Sequence, residues 1–331
     1  MKTLLALLRA RNIEFYRDKG SLAWSFVFPL MIIVGCAVAF SNPDTSVFKV
    51  GVAGDPDSLP WLQQSYVKPI QFEQLEKGLV RLKHHQLDML ISIEQQRYWI
   101  NSESSHSAAA EQLFLTTEKG FERGETSGRA VRYVDWVIPG VLGMNLMFGA
   151  LFGVGYVIVR YRRNGVLKRL QVTPVSPLQF LSAQLISRLL IVVTVNVMIF
   201  IGCLFTLDLI VLGSYLDLLL ITVLGSLSMV AIGLVVSCRT ANEELANGLL
   251  NITTWPMLFL SEVWFSLDNS PDWLKVAAEF MPLTHIVQAT RAVMIDGATL
   301  AEVSPHLVWM AVLSTVCIAL AASLFRWSSV R

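Results

Sequence analysis

Residues 180–205 read FLSAQLISRLLIVVTVNVMIFIGCLF, a predominantly apolar block. As a helix rising 1.5 Å per residue it reaches roughly 39 Å, enough to cross about 30 Å of hydrocarbon. Similar blocks lie at residues 22–40, 136–159, 216–237, 245–265 and 306–325. Their apolar residues come in runs and are not scattered at the spacing of an amphipathic helix or strand, so the solvent they meet is lipid. The fold class that follows is an all-α polytopic membrane protein with six transmembrane helices. Composition agrees: 54% of the 331 residues are hydrophobic, 15% are charged and the mean hydropathy is +0.55, outside the range of an ordinary soluble domain. A formal net charge of +1 gives no electrostatic footprint for nucleic acid.

Within residues 1–21, Lys2, Arg9, Arg11, Arg17 and Lys19 stand against Glu14 and Asp18, with Leu4, Leu5, Leu8, Ile13, Phe15 and Tyr16 between them. The pattern is that of a cytoplasmic interfacial helix on the membrane surface, or of a basic tail that orients the first span at 22–40. Ala37-Val38-Ala39 has the form of a signal-peptidase site, but the long charged lead and the nearly bilayer-filling block favour a retained helix. Residues 41–135 are mostly polar and predict an extracytoplasmic α/β domain between the first and second spans. Phe48, Val50 and Val52 alternate as a strand, and Gly54-Asp55-Pro56-Asp57 marks a turn. Phe72, Leu75, Leu79 and Leu82 recur at helical spacing, residues 87–93 resume a strand, 108–117 predict a second helix and 120–132 a polar linker.

Residues 136–331 form the predicted five-helix transmembrane domain. Within it, residues 274–300 are apolar but interrupted by Glu279, Pro282, His285, Gln288, Arg291 and Asp296. Each charge would cost roughly 2.5–3.5 kcal/mol against lipid. A pair of re-entrant or interfacial helices within 266–304, before the sixth span, avoids that. Arg160, Arg162, Arg163, Lys168 and Arg169, with no acid before Pro177, place the 160–179 loop in the cytoplasm. Six spans then bring both termini, including the Arg326 to Arg331 tail, to the same side. The four cysteines, Cys36, Cys203, Cys238 and Cys317, lie in or beside apolar blocks and read as small buried hydrophobes rather than a disulfide framework.

Inside the 160–179 loop, Gly165 breaks the second span, Val166 to Val172 can form a short amphipathic helix, and Thr173-Pro174 ends it. A short helix held between two spans can transmit force from a docked protein; an ordinary basic loop is the alternative.

Four segments extend the argument: Phe26-Val27-Phe28-Pro29-Leu30, Tyr133-Val134-Asp135-Trp136-Val137-Ile138-Pro139-Gly140, the Gly165 to Pro177 loop, and Phe280-Met281-Pro282-Leu283-Thr284-His285 leading to Arg291. In order and spacing, along nearly the whole chain, they resemble the type-2 permeases of the ATP-binding-cassette exporters. The resemblance implies that the 160–179 loop meets a cassette ATPase, with Arg162, Arg163, Gly165, Leu167, Arg169, Leu170, Thr173 and Pro174 as coupling residues and Cys238 to Leu245 as a second contact. It further implies a homodimer or a heterodimer with a related permease, two ATPase subunits carrying ATP and Mg, and a place in the bacterial inner (plasma) membrane. The implied activity is export of a hydrophobic or amphipathic substrate such as a drug, lipid or glycoconjugate. Two departures stand out. The family usually has acidic residues just before the glycine, where this chain has Tyr161 and Arg163. It usually has Ser-Gly near the end of the fifth span, where this chain has Ser261-Glu262. No GxxxxGK[ST] segment occurs, so no cofactor is assigned to this chain and ATP chemistry is expected on a separate polypeptide.

Asn145, Asn196, Asn247, Asn251 and Glu262 fall within spans, where lipid offers no hydrogen bonds. They are functional candidates or helix-to-helix adhesives. Asn145, Asn251, Glu262, His285 and Arg291 are the substrate-path candidates. Gly149, Gly153 and Gly155 form a small face for packing within the monomer or for dimerisation. His84 and Asp88, four apart, make a conceivable metal pair, but a solvated face is expected and no metal site is assigned. No Ser/His/Asp, Cys/His or paired-carboxylate arrangement stands out, so no catalytic residue is named. The competing reading is a membrane-anchored envelope binding or assembly protein that uses residues 41–135 and transports nothing.

Overall fold

A computed structural model describes residues 2–39, 48–54, 59–64, 66–72, 75–128, 131–240, 242–267, 270–325 and 327. The chain divides into two compact units, residues 1–38 with 134–331, and residues 39–133.

The first unit opens with α1 (Lys2–Arg17) and α2 (Lys19–Ala39). Their segments Leu5–Arg17 and Leu22–Val38 meet at 60°. α1 is a packed helix and not a loose basic tail: Arg11 and Phe15 are buried, and Asn12 Oδ1 accepts from Ser187 Oγ at 2.5 Å.

The second unit holds β1 (Phe48–Ala53), a 3-10 turn at Pro60–Gln63, β2 (Val67–Gln71), α3 (Leu75–Lys83), β3 (Met89–Ser92), β4 (Arg97–Asn101), α4 (Ser105–Thr117) and β5 (Glu122–Thr126). The sheet order is β2-β1-β3-β4-β5. β1 runs parallel to β2 and β3, β3 antiparallel to β4, and β4 parallel to β5. Alternate strand residues face opposite sides. Val50, Val52, Met89 and Ile91 join Trp61 and Phe114 in one core, while Leu90 joins Leu82, Leu87, Leu75 and Leu79 in the other. Gly51 fits between because a Cβ there would meet Leu90 Cδ1 at 2.7 Å.

The expected strands at 48–52 and 87–93 and both helices are present. β2, β4 and β5 were not expected, and β2 and β5 are the edge strands of the sheet. At an edge, β2 tolerates Pro69 and β5 presents the polar run ERGET, which reads as linker until it pairs with β4. Of the expected turn, Gly54 has φ +126°, and Asp55, Pro56 and Asp57 lie outside the described residues. α3 ends at Lys83 and His85 turns left-handed (φ +56°), so His84 and Asp88 are not one helical turn apart.

The first unit resumes with α5 (Tyr133–Arg163), α6 (Val166–Gln171), α7 (Pro177–Leu207), α8 (Tyr215–Ser237), α9 (Glu243–Leu260), α10 (Asp272–Glu279), α11 (Pro282–Arg291), a π turn at Ala292–Asp296 and α12 (Leu300–Leu324). The protein is mostly helical. Among the described residues α5, α7, α8 and α12 are long and apolar enough to cross a membrane, and the bent α1–α2 pair makes five if it counts as one span. The expected count was six. α9 is 18 residues long and carries Glu243, Glu244, Asn247 and Asn251, so length and composition do not place it with the others. Among the described residues, 270–299 hold the short α10 and α11 and not one long helix, and α12 starts at Leu300. All four cysteines are free; Cys203 and Cys238 are buried, whereas Cys36 and Cys317 are half-buried. Arg326 and residues 328–331 of the basic tail lie outside the described residues.

Candidate functional site

α5 runs on to Arg163, past the apolar block, and stops where Gly165 adopts φ +70°, a left-handed turn natural to glycine. α6 follows. Leu167 is buried and anchors it, Leu170 is half-buried, and Lys168, Arg169, Thr173 and Pro174 are exposed, with Val172 87% exposed. The next helix starts from a capping box: Ser176 Oγ accepts from Gln179 N and Gln179 Oε1 from Ser176 N, both at 3.2 Å, with Pro177 in the first turn. α6 is therefore a short step between two fixed helix ends.

Arginines lock that step to its neighbours. Arg162 is buried and donates from Nη1 to Ser237 O at 2.9 Å and to Thr240 O, and from Nη2 to Cys238 O at 2.8 Å. A cation there satisfies the bare carbonyls at the α8 C-terminus and complements its dipole. Arg163 Nη1 lies 2.5 Å from Glu243 Oε2 in the first turn of α9. Glu14 of α1 accepts from Arg160 Nη2 at 2.6 Å, from Arg11 Nη1 at 2.9 Å and from the Tyr161 hydroxyl. Of the expected coupling residues, Arg162 and Arg163 thus serve internal joints, while Arg169, Thr173 and Pro174 face outward.

A cavity of about 730 Å3 lies among α1, α2, α5, α7 and α9. Trp24, Phe28, Phe148, Phe152, Tyr156 and Trp255 line it with Asn145, and Arg11, Glu14, Asp18, Arg160 and Arg188 add charge. Trp24 stacks on Phe28 at 5.5 Å and Phe152 on Tyr156 at 5.8 Å. Arg188 is the residue the sequence reading missed. It is buried in α7, donates from Nε to Gly149 O at 2.6 Å and sits 5.6 Å over the Phe15 ring. A Cβ on Gly153 would collide with its guanidinium, and one on Gly155 would meet Leu250 at 2.8 Å, so the small face of α5 is filled from within the unit. The available signal was an arginine inside an apolar block, answered by Gly-x-x-x-Gly in another. Asn251 serves differently: its Nδ2 reaches Asn247 Oδ1 at 2.7 Å and its Oδ1 accepts from Trp255 Nε1 at 3.2 Å along α9.

The remaining candidates meet elsewhere in the unit. Arg291 Nη1 lies 3.5 Å from Glu262 Oε2, its Nη2 donates to Glu262 O at 3.0 Å and to Trp136 O at 3.3 Å, and its guanidinium covers the Trp136 ring at 3.9 Å. Glu262 has φ +52°, the conformation glycine favours, and its carboxylate accepts from Leu267 N at 2.9 Å. Glutamate thus takes a glycine-like turn at the position where the sequence resemblance leads one to expect glycine, and its side chain fastens that turn. His285 Nδ1 and His306 Nδ1 share a hydrogen bond at 2.8 Å, with His285 stacked on Trp309 at 4.4 Å. Glu262, His285 and Arg291 do not line the aromatic cavity. Among the described residues no three His, Cys, Asp or Glu side chains gather as a metal site.

A bundle of long apolar helices, with a short helix set between two of them, defines a multi-pass membrane protein. The chain belongs to the ABC-2 family of transporter proteins, whose family model matches residues 19–323. It is similar to the "Probable multidrug ABC transporter permease YbhR" of Escherichia coli K12 and to the protein of that name in E. coli O157:H7. Each is 22% identical over 168 residues, covering 51% of this chain and 46% of the relative. The chain thus spans about half the length of the curated relatives it matches.

Proposed function

We propose that the chain is the permease subunit of an ATP-binding-cassette exporter, moving a hydrophobic or amphipathic substrate through the aromatic cavity with energy from ATP and Mg held by a separate ATPase. The observation that carries this reading is α6, anchored by Leu167 and presenting Lys168, Arg169, Val172 and Thr173 outward between two capped helix ends. A docked ATPase pressing there would act at once on α5, α8 and α9 through Arg162 and Arg163. Only contacts that differ between nucleotide states can drive the shift. The cavity suits a drug-sized apolar molecule, and the relatives' name points to the same substrate class. In this reading α2 and α9 complete six spans, the termini and α6 face the cytoplasm, residues 39–133 lie outside the inner membrane, and two permease subunits pair.

The test is copurification from detergent-solubilised membranes, using exposed positions because Leu167→Asp would disturb a buried anchor. Val172→Asp with Arg169→Glu is expected to lower the recovered ATPase subunit and drug export at least about tenfold with unchanged thermal unfolding. Undiminished ATPase recovery and export in this variant would overturn the coupling role. Capture of an envelope protein by residues 39–133 with no ATPase at all would favour the assembly reading instead.

A further inference from the structure

A second cavity, of about 350 Å3, opens between α5, α7, α8 and α11, and shares no lining residue with the aromatic one. Leu146, Phe200, Leu204, Leu219 and Ile286 give it apolar walls. Asn196 also lines it. This side chain is 4% exposed, its Nδ2 donates to Val192 O at 3.3 Å, and its Oδ1 has no hydrogen-bond partner among the described residues. The Nδ2 bond fixes the amide's orientation, since turning it over would set two acceptors against each other.

The two threonines of the cavity, both half-buried, have the same sense. Thr222 Oγ1 donates its hydrogen to Leu218 O at 2.8 Å and Thr290 Oγ1 donates to Ile286 O at 2.7 Å, so both keep only lone pairs for a guest. Tyr215, which carries a donor, is 56% exposed at the mouth. The interior therefore offers mainly acceptors in an apolar wall, with no cation for an anionic head group and one spare N–H, the second hydrogen of Asn196 Nδ2. An unpaired buried carbonyl in such a wall is unfavourable by several kcal/mol in hydrocarbon, which a guest with one donor would relieve.

We propose that this cavity binds a neutral amphiphile, an apolar chain ending in a hydroxyl that donates to Asn196 Oδ1. The inference does not depend on the export reading, because it concerns different residues. A hydroxyl-bearing bilayer lipid and a solute entering from the bilayer share this chemistry.

The probe is a diazirine-bearing long-chain alcohol, photolysed with the purified full-length protein and mapped by peptide mass spectrometry, beside the methyl ether of the same chain. In the wild type the alcohol is expected to label residues 142–146 and 196–204 about tenfold more than the ether, the margin of one hydrogen bond to a buried unpaired acceptor. Asn196→Leu should bring the alcohol down to the ether, and Leu219→Trp, at a 42% exposed rim position, should remove both. Equal labelling by alcohol and ether in the wild type would overturn the proposal without recourse to any variant. Alcohol labelling unchanged in Asn196→Leu would also overturn it, leaving water as the partner of the amide. Lipid extracted from the wild type but not from Leu219→Trp identifies the bilayer as the source; strong labelling with no such lipid identifies a solute.

Discussion

The unit formed by residues 39–133 and the helical unit use buried polar groups differently. In the α/β unit, apolar packing joins the elements: Trp61 meets Phe114 edge-on at 5.1 Å, and Phe114 meets Tyr98 at 5.3 Å. The polar Asn101 there fastens loops, its Nδ2 reaching Leu82 O, Lys83 O and Gly128 O at 3.0–3.2 Å. In the helical unit arginines join the elements: Arg162 at the end of α8, Arg188 at Gly149, Arg291 at Trp136 and Glu262. The difference follows from solvent. Water rewards burying Phe114, whereas lipid is as apolar as leucine and leaves directional bonds to decide which helices stay together.

The sharpest way to break this contrast is to exchange the two kinds of joint. Phe114→Ala should destabilise the α/β unit by about 3–5 kcal/mol. Hydrogen exchange should rise in β1, β3 and α4 while α5, α7 and α8 stay protected. Arg162→Ala leaves three carbonyls at the α8 end without their cation and should cost about 3 kcal/mol. It should appear as a lower melting temperature in detergent and faster exchange at residues 235–240, and a loss below about 0.5 kcal/mol would show that these bonds are not what holds α8 to α5. Glu262→Gln keeps an acceptor for Leu267 N and removes the charge facing Arg291, so about 1–2 kcal/mol is expected in the same melting experiment.

The smallest effect belongs to Tyr98, whose hydroxyl donates to Glu111 Oε1 at 2.8 Å. Burial first, then the bond and charge of Glu111, push it up to about 12 from 10.0. The folded state keeps this proton where the unfolded chain has lost it. Its stability is therefore full below pH 10 and falls as pH rises from 10 toward about 12. Tyr98→Phe should flatten that part of the alkaline decline in denaturant titrations of the α/β unit.

Four of the six expected spans, α5, α7, α8 and α12, were legible because an apolar run long enough for a bilayer has few other uses. The α6 step was legible because Gly165 and the Thr173-Pro174 pair bracket it. β2 and β5 were not, since an edge strand owes its conformation to a neighbour and shows no apolar alternation of its own. Arg162 was recognised as basic, but sequence carries no sign of which way a helix-end cation turns, and it turned inward. Glu262 was noticed as a departure; its bond to Arg291 depends on two short helices folding back beside the end of α9, which no local pattern encodes.

The arginine cap on α8 limits how this bundle can flex. With Arg162 holding three carbonyls and Arg163 holding the first turn of α9, the last turn of α5 cannot swing clear without stripping buried oxygens of their partners. Bending is easier where a backbone bond is already missing, at Pro139 in α5 and Pro256 in α9, each of which lacks an N–H for the carbonyl one turn back. Those two prolines lie toward the far ends of their helices, so the charged end behaves as a stiff knuckle and the pivot sits most of a helix length away.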